Sequence, residues 1–178
     1  MNNSEILEKA KNIKLFACDV DGVLTHGEII IFNNGYEVKI WNVKDGMGYN
    51  LLSKTYPRIK TAWITGRGSV QVETRAAEIK IDYLIQNCMS KKETLERIVE
   101  KENLDLSQVA YIGDDIVDVP VLKSVGLSSC PSDACADAKE AASFVSALNG
   151  GDGVVREMIE IIMKALGEWK KVFEKYEC

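Results

Sequence analysis

Short apolar runs that end abruptly in polar residues constrain the fold of this chain more than any other feature of its sequence. Candidate strands lie at 14–18 (KLFAC), 59–64 (IKTAWI), 82–85 (DYLI), 109–112 (VAYI) and 125–128 (VGLS). Helical patterns alternate with them near 46–54, 69–79, 91–102, 115–123 and 152–166. Because strand and helix alternate, the sequence predicts a doubly wound α/β fold with a mainly parallel, Rossmann-like sheet. A ligand site is then expected beyond the carboxyl ends of the strands.

The length of the chain predicts one domain. The 178 residues, 46% of them hydrophobic, can bury a sizeable core, and the 3 Pro and 13 Gly form no linker. After the hairpin predicted at 28–41, no stretch is long enough for a large second domain that would cover the site. We therefore predict a single domain over 1–178 that ends in a tail at 167–178 (GEWKKVFEKYEC).

Charge and histidine content narrow the chemistry. The 22 Lys+Arg and 27 Asp+Glu give a net charge of −5, which is the wrong sign for a general nucleic-acid surface. A small-molecule substrate is the better expectation. The one histidine, His26, rules out an HExxH zinc motif. Acid–base chemistry is therefore expected from carboxylates.

Cysteine usage and the absence of long apolar runs bear on location. The five cysteines are odd in number, scattered, and form no CxxC pair, which predicts reduced thiols. The opening NNSEILEKAKNIK lacks the apolar stretch of a signal peptide, and no apolar run reaches about 18 residues. We expect a cytoplasmic protein with no membrane partner.

Residues 28–41 predict a β-hairpin. Two β-prone runs, EIIIF and YEVKIW, flank Asn33-Asn34-Gly35, and an Asn-Gly pair accepts the positive φ angles that a tight two-residue turn requires. The many apolar side chains of this hairpin would invite aggregation if left uncovered. The hairpin either packs on its own domain or mediates assembly.

Four aspartates follow two of the predicted strands. Asp19 and Asp21 come after the first strand and share one face of the chain, and Gly22 allows a sharp turn behind them. Asp114 and Asp115 follow another strand. Crowded carboxylates repel each other unless a hard cation joins them, and Mg²⁺ suits an all-oxygen site. Taken singly, an Asp-x-Asp pair also arises by chance, and Gly-Asp-Asp also forms turns and helix N-caps.

Thr65-Gly66 and Lys91 stand at two further strand ends. The predicted fold places their hydroxyl and ammonium groups at the edge of the sheet where a ligand site is expected. Each also has a purely structural interpretation. Thr65 would be the N-cap of the helix at 69–79, and Lys91 would lie in a solvated, lysine-rich first helical turn (KKETLER).

The ordered set of these residues resembles the haloacid dehalogenase (HAD) superfamily of phosphotransferases. Asp-x-Asp-Gly, Thr-Gly, a helix-initial Lys and Gly-Asp-Asp-x-x-Asp at 113–118 occur in that superfamily's order. The resemblance implies that Asp19 is the nucleophile that forms an aspartyl-phosphate and that Asp21 is the general acid and base. It also implies that Thr65 and Lys91 donate to the phosphoryl oxygens.

The same resemblance implies Mg²⁺ as the cofactor. Asp19, the backbone carbonyl of Asp21, and Asp114 would hold the ion, and Asp115 would support it directly or through water. The cation would offset the repulsion between an anionic nucleophile and an anionic phosphate.

A narrower resemblance covers about residues 13–166. The motifs DVDGVLT at 19–25, FNNGYEVKIWNVKDGMG at 32–48, ITGR at 64–67, VAYIGDDIVDVPVLKSVGLS at 109–128 and GGDGVVRE at 150–157 are similar to those of the 3-deoxy-D-manno-octulosonate 8-phosphate (KDO 8-phosphate) phosphatase family. That family of lipopolysaccharide biosynthesis belongs to the capless HAD subclass and forms tetramers, in which a neighbouring subunit helps to close each site. The resemblance implies hydrolysis of a phosphorylated sugar acid, KDO 8-phosphate, by a homotetramer that the hairpin helps to assemble.

Three departures from that family's pattern bear on substrate contacts. His26 stands where relatives usually carry Asp, and Lys44 and Asp152 stand where they often carry Arg. Lys44 keeps the positive charge but loses the guanidinium fork. We expect Asp152 to point away from the substrate or to pair with Lys44 or an arginine, and His26 to be a surface loop residue.

Arg67 is the residue most relevant to substrate choice. Phosphatases of nine-carbon keto-deoxy sugar acid 9-phosphates typically carry Glu after Thr-Gly, whereas Arg resembles the eight-carbon enzymes. The candidate substrate-binding residues are Gly66, Arg67, Lys44, Arg75 and Arg156. Arg75 and Arg156 are equally consistent with surface or ion-pair roles.

Three alternatives remain open at this point. In the first, the chain is a phosphatase whose substrate is a nine-carbon acid 9-phosphate or another sugar phosphate. In the second, the chain is a non-catalytic tetramerising module, although it keeps the acids that such modules lose. In the third, the chain is a two-component receiver domain, which also groups acids, Thr and Lys around Mg²⁺, although no Asp follows the strand at 59–64 as a receiver's order would require.

Overall fold

The computed structural model describes residues 2–55 and 57–176, which contain eight strands and eight α-helices. The strands are β1 (Leu15–Cys18), β2 (Ile30–Ile31), β3 (Glu37–Val38), β4 (Lys60–Ile64), β5 (Tyr83–Ile85), β6 (Val109–Ile112), β7 (Leu127–Cys130) and β8 (Phe144–Val145). The helices are α1 (Asn3–Ala10), α2 (Val43–Leu52), α3 (Val70–Ile79), α4 (Lys91–Lys101), α5 (Val119–Leu122), α6 (Ala136–Ala141), α7 (Val154–Ala165) and α8 (Trp169–Tyr176).

Six strands form one sheet in the order β5-β4-β1-β6-β7-β8. Every pairing in it is parallel. The strand order reverses at β1, which pairs with β4 on one side and with β6 on the other. In a doubly wound sheet this reversal leaves a crevice at the carboxyl ends of the central strands. The predicted α/β fold is confirmed, and its topology places a ligand site beyond β1.

Apolar side chains cover both faces of the sheet and hold the strand ends in place. Phe16 and Cys18 pack among residues of α1, α2, α3 and α7, whereas Leu15 and Ala17 pack among residues of α4, α5 and α6. This alternation follows from the two-residue period of a strand with both faces buried. Each buried Leu or Phe contributes about 1.5–3 kcal/mol, so the core sets the positions of the loops that follow the strands.

The hairpin (residues 28–41) is present, but its turn differs from the expected one. β2 and β3 pair in antiparallel fashion. The Gly35 N–H donates to the Phe32 carbonyl at 2.8 Å, and within 28–41 only Gly35 has a positive φ, +80°. A turn followed by a left-handed glycine is the three-residue loop of hairpins. The expected two-residue turn is therefore wrong, although Gly35 is still required.

Several helix boundaries differ from the sequence-based ones. α2 begins at Val43 because the Asn42 side chain accepts the Lys44 N–H at 3.0 Å and caps the helix. α5 is confined to four residues. α6 and β8 were not predicted, and α8 takes up most of the tail, whose last residue, Cys178, lies outside the described residues.

None of the helices within 2–55 and 57–176 combines the length and apolar character needed to cross a membrane.

Candidate active site

A cleft of about 890 Å³ lies at the carboxyl ends of the central strands. All the residues predicted to be catalytic or metal-binding line it, and so do two of the predicted substrate-binding residues. They are Asp19, Asp21, Thr65, Gly66, Arg67, Lys91, Asp114 and Asp115. Parallel pairing of the central strands brings together loops that lie far apart in the sequence.

The loop after β1 lies directly against the Gly-Asp-Asp loop. Gly22 has a φ of +82°, and a Cβ atom at this position would lie 2.0 Å from Asp114 Oδ2. Glycine is required both for the backbone angle and for the close approach. Any side chain here would separate the two aspartate-bearing loops.

Asp19 and Lys91 form the innermost charged pair. Lys91 Nζ lies 2.6 Å from Asp19 Oδ2, and Asp19 Oδ1 accepts the Val20 N–H at 2.7 Å. Burial raises the pKa of Asp19 to about 6, with Lys91 opposing that shift and Asp118 adding to it. Burial disfavours the charged form of Lys91, but Asp19 and Asp118 outweigh it and raise the pKa of Lys91 above its usual value. Lys91 therefore remains a cation beside the carboxylate.

The structural interpretation of Lys91 as a solvated residue is wrong, because it is only 6% exposed. The Ser90 side chain does cap α4 by accepting the Glu93 N–H at 3.4 Å. The first turn of α4 thus aims Lys91 into the cleft while the cap satisfies the helix end.

Asp118, to which the sequence interpretation assigned no role, holds Lys91 in place. Its Oδ1 accepts from Lys91 Nζ at 2.8 Å and from the Tyr111 hydroxyl at 2.5 Å. Its Oδ2 accepts the N–H groups of Asp114 at 3.2 Å and Asp115 at 3.3 Å. Through both of its oxygens, Asp118 thus fixes Lys91 and the backbone of the Gly-Asp-Asp loop relative to each other. The last Asp of Gly-Asp-Asp-x-x-Asp is its signal in the sequence.

Asp19 and Asp114 offer oxygens that fit a divalent cation. Among the described residues, the buried Asp114 Oδ1 has no hydrogen-bond partner. One carboxylate oxygen each from Asp19, Asp114 and Asp118 lies within 4.8 Å of the others. Burial raises the pKa of Asp114 to about 7, and the charges of Asp19 and Asp118 add to the shift. Crowded oxygens with one unsatisfied buried acceptor are the donor set of a hard cation. Asp115 is exposed and lies outside this group.

Thr65 lies at the end of β4 and is buried. Its Oγ1 accepts the Arg67 N–H at 3.2 Å, which leaves the hydroxyl proton free to be donated into the cleft. α3 begins at Val70 after Ser69, so Thr65 is not the N-cap of that helix. The structural alternative for Thr65 is wrong.

Asp21 lies among charged side chains at one wall of the cleft. Lys39 Nζ contacts its Oδ1, and Arg67 Nε lies 3.9 Å from its Oδ2. Arg67 also pairs with Glu37 at 3.2 Å. Glu37 and Lys39 belong to the hairpin, so the hairpin covers part of the site within the same chain. The sequence carried no signal for Lys39, because its contact with Asp21 is purely tertiary.

His26 and Asp152, two departures from the family pattern, contact each other. His26 Nε2 lies 3.0 Å from Asp152 Oδ1, and His26 lines the cleft. Of the two expectations for Asp152, the pairing with Lys44 or an arginine is wrong, whereas its position outside the cleft lining agrees with a side chain that points away from the substrate. His26 forms part of the cleft wall, and is more than the surface loop residue that was expected.

Three of the predicted substrate-binding cations lie outside the lining of this cleft. Arg75 pairs with Glu78 at 2.7 Å, and Arg156 pairs with Glu160 at 2.9 Å. Lys44 lies in the first turn of α2. The structure does not bring these three to the cleft of their own chain, and for both arginines it shows the ion-pair alternative.

The chain is similar in sequence to proteins of known family. Residues 59–158 match the haloacid dehalogenase-like hydrolase family. The chain is 39% identical over 166 residues to the 3-deoxy-D-manno-octulosonate 8-phosphate phosphatase KdsC of Escherichia coli strain K12, a match that covers 93% of this chain and 87% of that protein.

Solved structures agree over nearly the full length. A probable YrbI family phosphatase from Pseudomonas syringae pv. phaseolica 1448a has a TM-score of 0.94 at 35% identity and covers 98% of each chain. The 3-deoxy-D-manno-octulosonate 8-phosphate phosphatase of Moraxella catarrhalis, solved with magnesium ion, phosphate ion and KDO, has a TM-score of 0.93 at 37% identity. That match covers 97% of this chain and 98% of the Moraxella chain.

Proposed function

The chain belongs to the haloacid dehalogenase-like hydrolases and, within them, to the 3-deoxy-D-manno-octulosonate 8-phosphate phosphatase family, and we propose that it hydrolyses KDO 8-phosphate to KDO and inorganic phosphate. One observation carries the chemistry. The Asp19 carboxylate lies 2.6 Å from a buried Lys91 ammonium, and Asp114 beside it has a buried oxygen without a partner. A buried nucleophile between a fixed cation and a cation site is suited to attack on a phosphate.

The reaction has two displacements at phosphorus. Asp19 attacks the phosphoryl group and forms an aspartyl-phosphate, while the bond to the sugar oxygen breaks and Asp21 gives that oxygen a proton. Water then attacks the aspartyl-phosphate, Asp21 takes the proton of that water, and phosphate leaves a regenerated Asp19. Because the same acid donates and then accepts one proton, Asp21 returns to its starting state after each turnover.

The remaining residues hold the phosphoryl oxygens and the charge. Lys91, kept in place by Asp118, and the Thr65 hydroxyl donate to oxygens that gain charge during transfer. Asp19, Asp114 and the backbone carbonyl of Asp21, with Asp115 in support, would hold Mg²⁺, which would offset the negative charge of the phosphate.

The sugar acid's carboxylate needs a separate cation. Arg67 lines the cleft beyond Thr65, and its side chain is 42% exposed, so its guanidinium is accessible to a distal anion. The match of that cation to a carboxylate several carbons from the phosphate supports a sugar acid over a neutral sugar.

We also propose a cytoplasmic homotetramer. Large apolar side chains of the hairpin are exposed in the single chain, among them Ile29, Ile31, Phe32 and Ile40, which supports burial against other copies. The cysteines at 18, 88, 130 and 135 are free thiols, which supports a reducing compartment.

The test is phosphate release by the purified protein from a panel of substrates. The panel contains KDO 8-phosphate, a nine-carbon keto-deoxy acid 9-phosphate and glucose 6-phosphate, each with Mg²⁺ and with excess EDTA. We expect the highest kcat/KM for KDO 8-phosphate and loss of activity in EDTA. A higher kcat/KM for either other substrate would contradict the substrate assignment, and full activity in EDTA would contradict the metal.

A further inference from the structure

The hairpin places a buried lysine against the general acid of the proposed reaction. The Lys39 side chain is 1% exposed, its Nζ contacts Asp21 Oδ1, and it lies 3.3 Å from Glu37 Oε1. A lysine is almost never buried this far unless carboxylates pair with it. The location of Lys39 is therefore tied to Asp21 and Glu37.

Arg67 stands beside Lys39 but is held differently. Its Nε lies 3.9 Å from Asp21 Oδ2, its Nη2 lies 3.2 Å from Glu37 Oε1, and its side chain is 42% exposed. Ion pairs of a partly exposed arginine contribute little energy, so Arg67 can exchange them for a substrate anion at small cost. Lys39 is enclosed and remains on Asp21. The two cations of this cluster thus divide into one for the substrate and one for the general acid.

The hairpin is anchored to the sheet close to Lys39. Two residues after Lys39, the Trp41 ring stacks on the buried Trp63 ring with centroids 5.7 Å apart. Trp63 lies in β4, one of the strands that carry the site. The stacking fixes the returning strand of the hairpin relative to the sheet, and with it the Lys39 ammonium.

We infer that Lys39 is a positioning residue that holds Asp21 by its Oδ1, so that Oδ2 is the oxygen that carries the proton. The inference rests on the proposed function. As the bond between phosphorus and the sugar oxygen breaks and the Asp19–phosphorus bond forms, the proton moves from Asp21 Oδ2 to the leaving oxygen. In the second step Oδ2 takes the proton of the attacking water. Without Lys39 the carboxyl rotates and presents the proton less often in line with the leaving oxygen.

Two substrates with different leaving groups separate this role from a structural one. An alkoxide leaving group, as in KDO 8-phosphate, needs the proton, whereas 4-nitrophenolate is stable as an anion and does not. Release of the alcohol or of nitrophenolate is measured in single turnovers with enzyme in excess, with Mg²⁺ present. The variants are Lys39→Met, Lys39→Gln and Lys39→Arg, with Asp21→Asn as the benchmark and Lys9→Met, an exposed lysine on α1, as the control.

We expect Lys39→Met and Lys39→Gln to slow release from KDO 8-phosphate at least about 10-fold more than release from 4-nitrophenyl phosphate. Asp21→Asn should shift the ratio in the same direction and further, Lys39→Arg should restore most of it, and Lys9→Met should keep the wild-type ratio. Because both rates come from the same preparation, partial misfolding lowers them equally and leaves the ratio unchanged.

Two results would overturn the inference. If the wild type is active and the Lys39 variants keep the wild-type ratio, Lys39 has only a structural role and the proposed phosphatase function stands. If the wild type releases no phosphate from either substrate, the proposed function fails and the role of Lys39 fails with it.

Discussion

The contacts of the two Asp19 oxygens suit the role of nucleophile proposed for this residue. Oδ1 accepts the Val20 N–H and Oδ2 faces the Lys91 ammonium. An asparagine keeps the size of the side chain but has no anionic oxygen to attack phosphorus. We expect Asp19→Asn to lower the rate of phosphate release below about one-hundredth of wild type, since losing a covalent route costs several kcal/mol of barrier.

The matched control for this substitution is Asp137→Asn, an exposed aspartate on α6 that does not line the cleft. It should leave the rate unchanged. Beryllium fluoride, which mimics the phosphoryl group on an aspartate, should bind wild type and Asp137→Asn but not Asp19→Asn. An Asp19→Asn enzyme that keeps more than about one-hundredth of the rate would remove Asp19 as the nucleophile.

The role proposed for Arg67 is to bind the substrate carboxylate, away from the phosphorus atom. Its guanidinium interacts with Glu37 and is accessible from the cleft. A cation that holds the substrate carboxylate equally in ground and transition states affects KM and not kcat. We therefore expect Arg67→Ala to raise KM for KDO 8-phosphate more than it lowers kcat, as measured by steady-state kinetics.

Arg97→Ala is the control for this change, because Arg97 is an exposed arginine on α4 that does not line the cleft. It should leave both constants unchanged. An Arg67→Ala enzyme with a normal KM and a reduced kcat would assign Arg67 to the transition state instead.

A buried aspartate joins two helices behind the site. Asp45 of α2 accepts the Arg156 N–H in the first turn of α7 at 2.8 Å, while its Oδ2 has no partner among the described residues. Burial raises the pKa of Asp45 to about 6, and the bond from Arg156 opposes this shift only partly. Asp45 therefore caps α7 at the expense of burying its own charge.

This raised pKa makes the stability of the fold depend on pH. An unfolded aspartate titrates near about 3.9, so the contribution of Asp45 is complete below that pH and is lost as pH rises through about 6. Asn at this position keeps an acceptor oxygen and carries no charge. We expect the free energy of unfolding of Asp45→Asn, relative to that of wild type, to be larger at about pH 8 than at about pH 5, as measured by chemical denaturation.

Asp45→Ala supplies the control, because it removes the charge and the cap together. It should be about 1 kcal/mol less stable than Asp45→Asn at each pH. A difference between wild type and Asp45→Asn that stays constant with pH would show that the buried carboxyl does not titrate in this range.

The elements that could be predicted are those with a local signal. Strands with both faces buried are continuous apolar runs, so β1, β4 and β6 and the polar residues at their ends were predictable from the sequence. α6 and β8 are short, and β8 forms by pairing with β7 beside it. Local pattern cannot supply such a neighbour.

The candidate site likewise contains residues that the sequence predicts and contacts that it does not. Asp19, Thr65 and Asp114 follow strands, so the fold brings them together without further information. Lys39 reaches Asp21 through the bend of the hairpin, and Asp152 reaches His26 across a separation of 126 residues. Both contacts depend on how loops cross the surface, and no period or motif in the sequence encodes that path.

Metal binding should stabilise the whole protein in a pH-dependent way. Burial and neighbouring charge raise the pKa of Asp19 to about 6 and that of Asp114 to about 7, so without a cation their ionisation costs stability as pH rises through this range. Mg²⁺ binds the ionised carboxylates and must displace their protons at low pH. We expect the rise in Tm on adding Mg²⁺ to be larger at about pH 8 than at about pH 5.5 in thermal melts. An equal rise in Tm at both pH values would contradict the assignment of these two carboxylates as ligands. The same melts with Ca²⁺ or Co²⁺ in place of Mg²⁺ test the size of the site.

Assembly is expected from the same hairpin that holds Lys39 over the site. Ile31 and Ile40 are 61% and 62% exposed, and residues of this kind remain uncovered in a single chain only where another surface binds them. Light scattering at micromolar concentration should give a mass of about four times 19.8 kDa.

Ile31→Glu combined with Ile40→Glu should reduce that mass, whereas Leu7→Glu, at an exposed position on α1, should not. Because both isoleucines are exposed in the single chain, the double variant keeps its core, and its mass reports assembly and not unfolding. A wild-type mass near 19.8 kDa would show that the hairpin serves its own chain alone, and Lys39 would then be its main contribution to the enzyme.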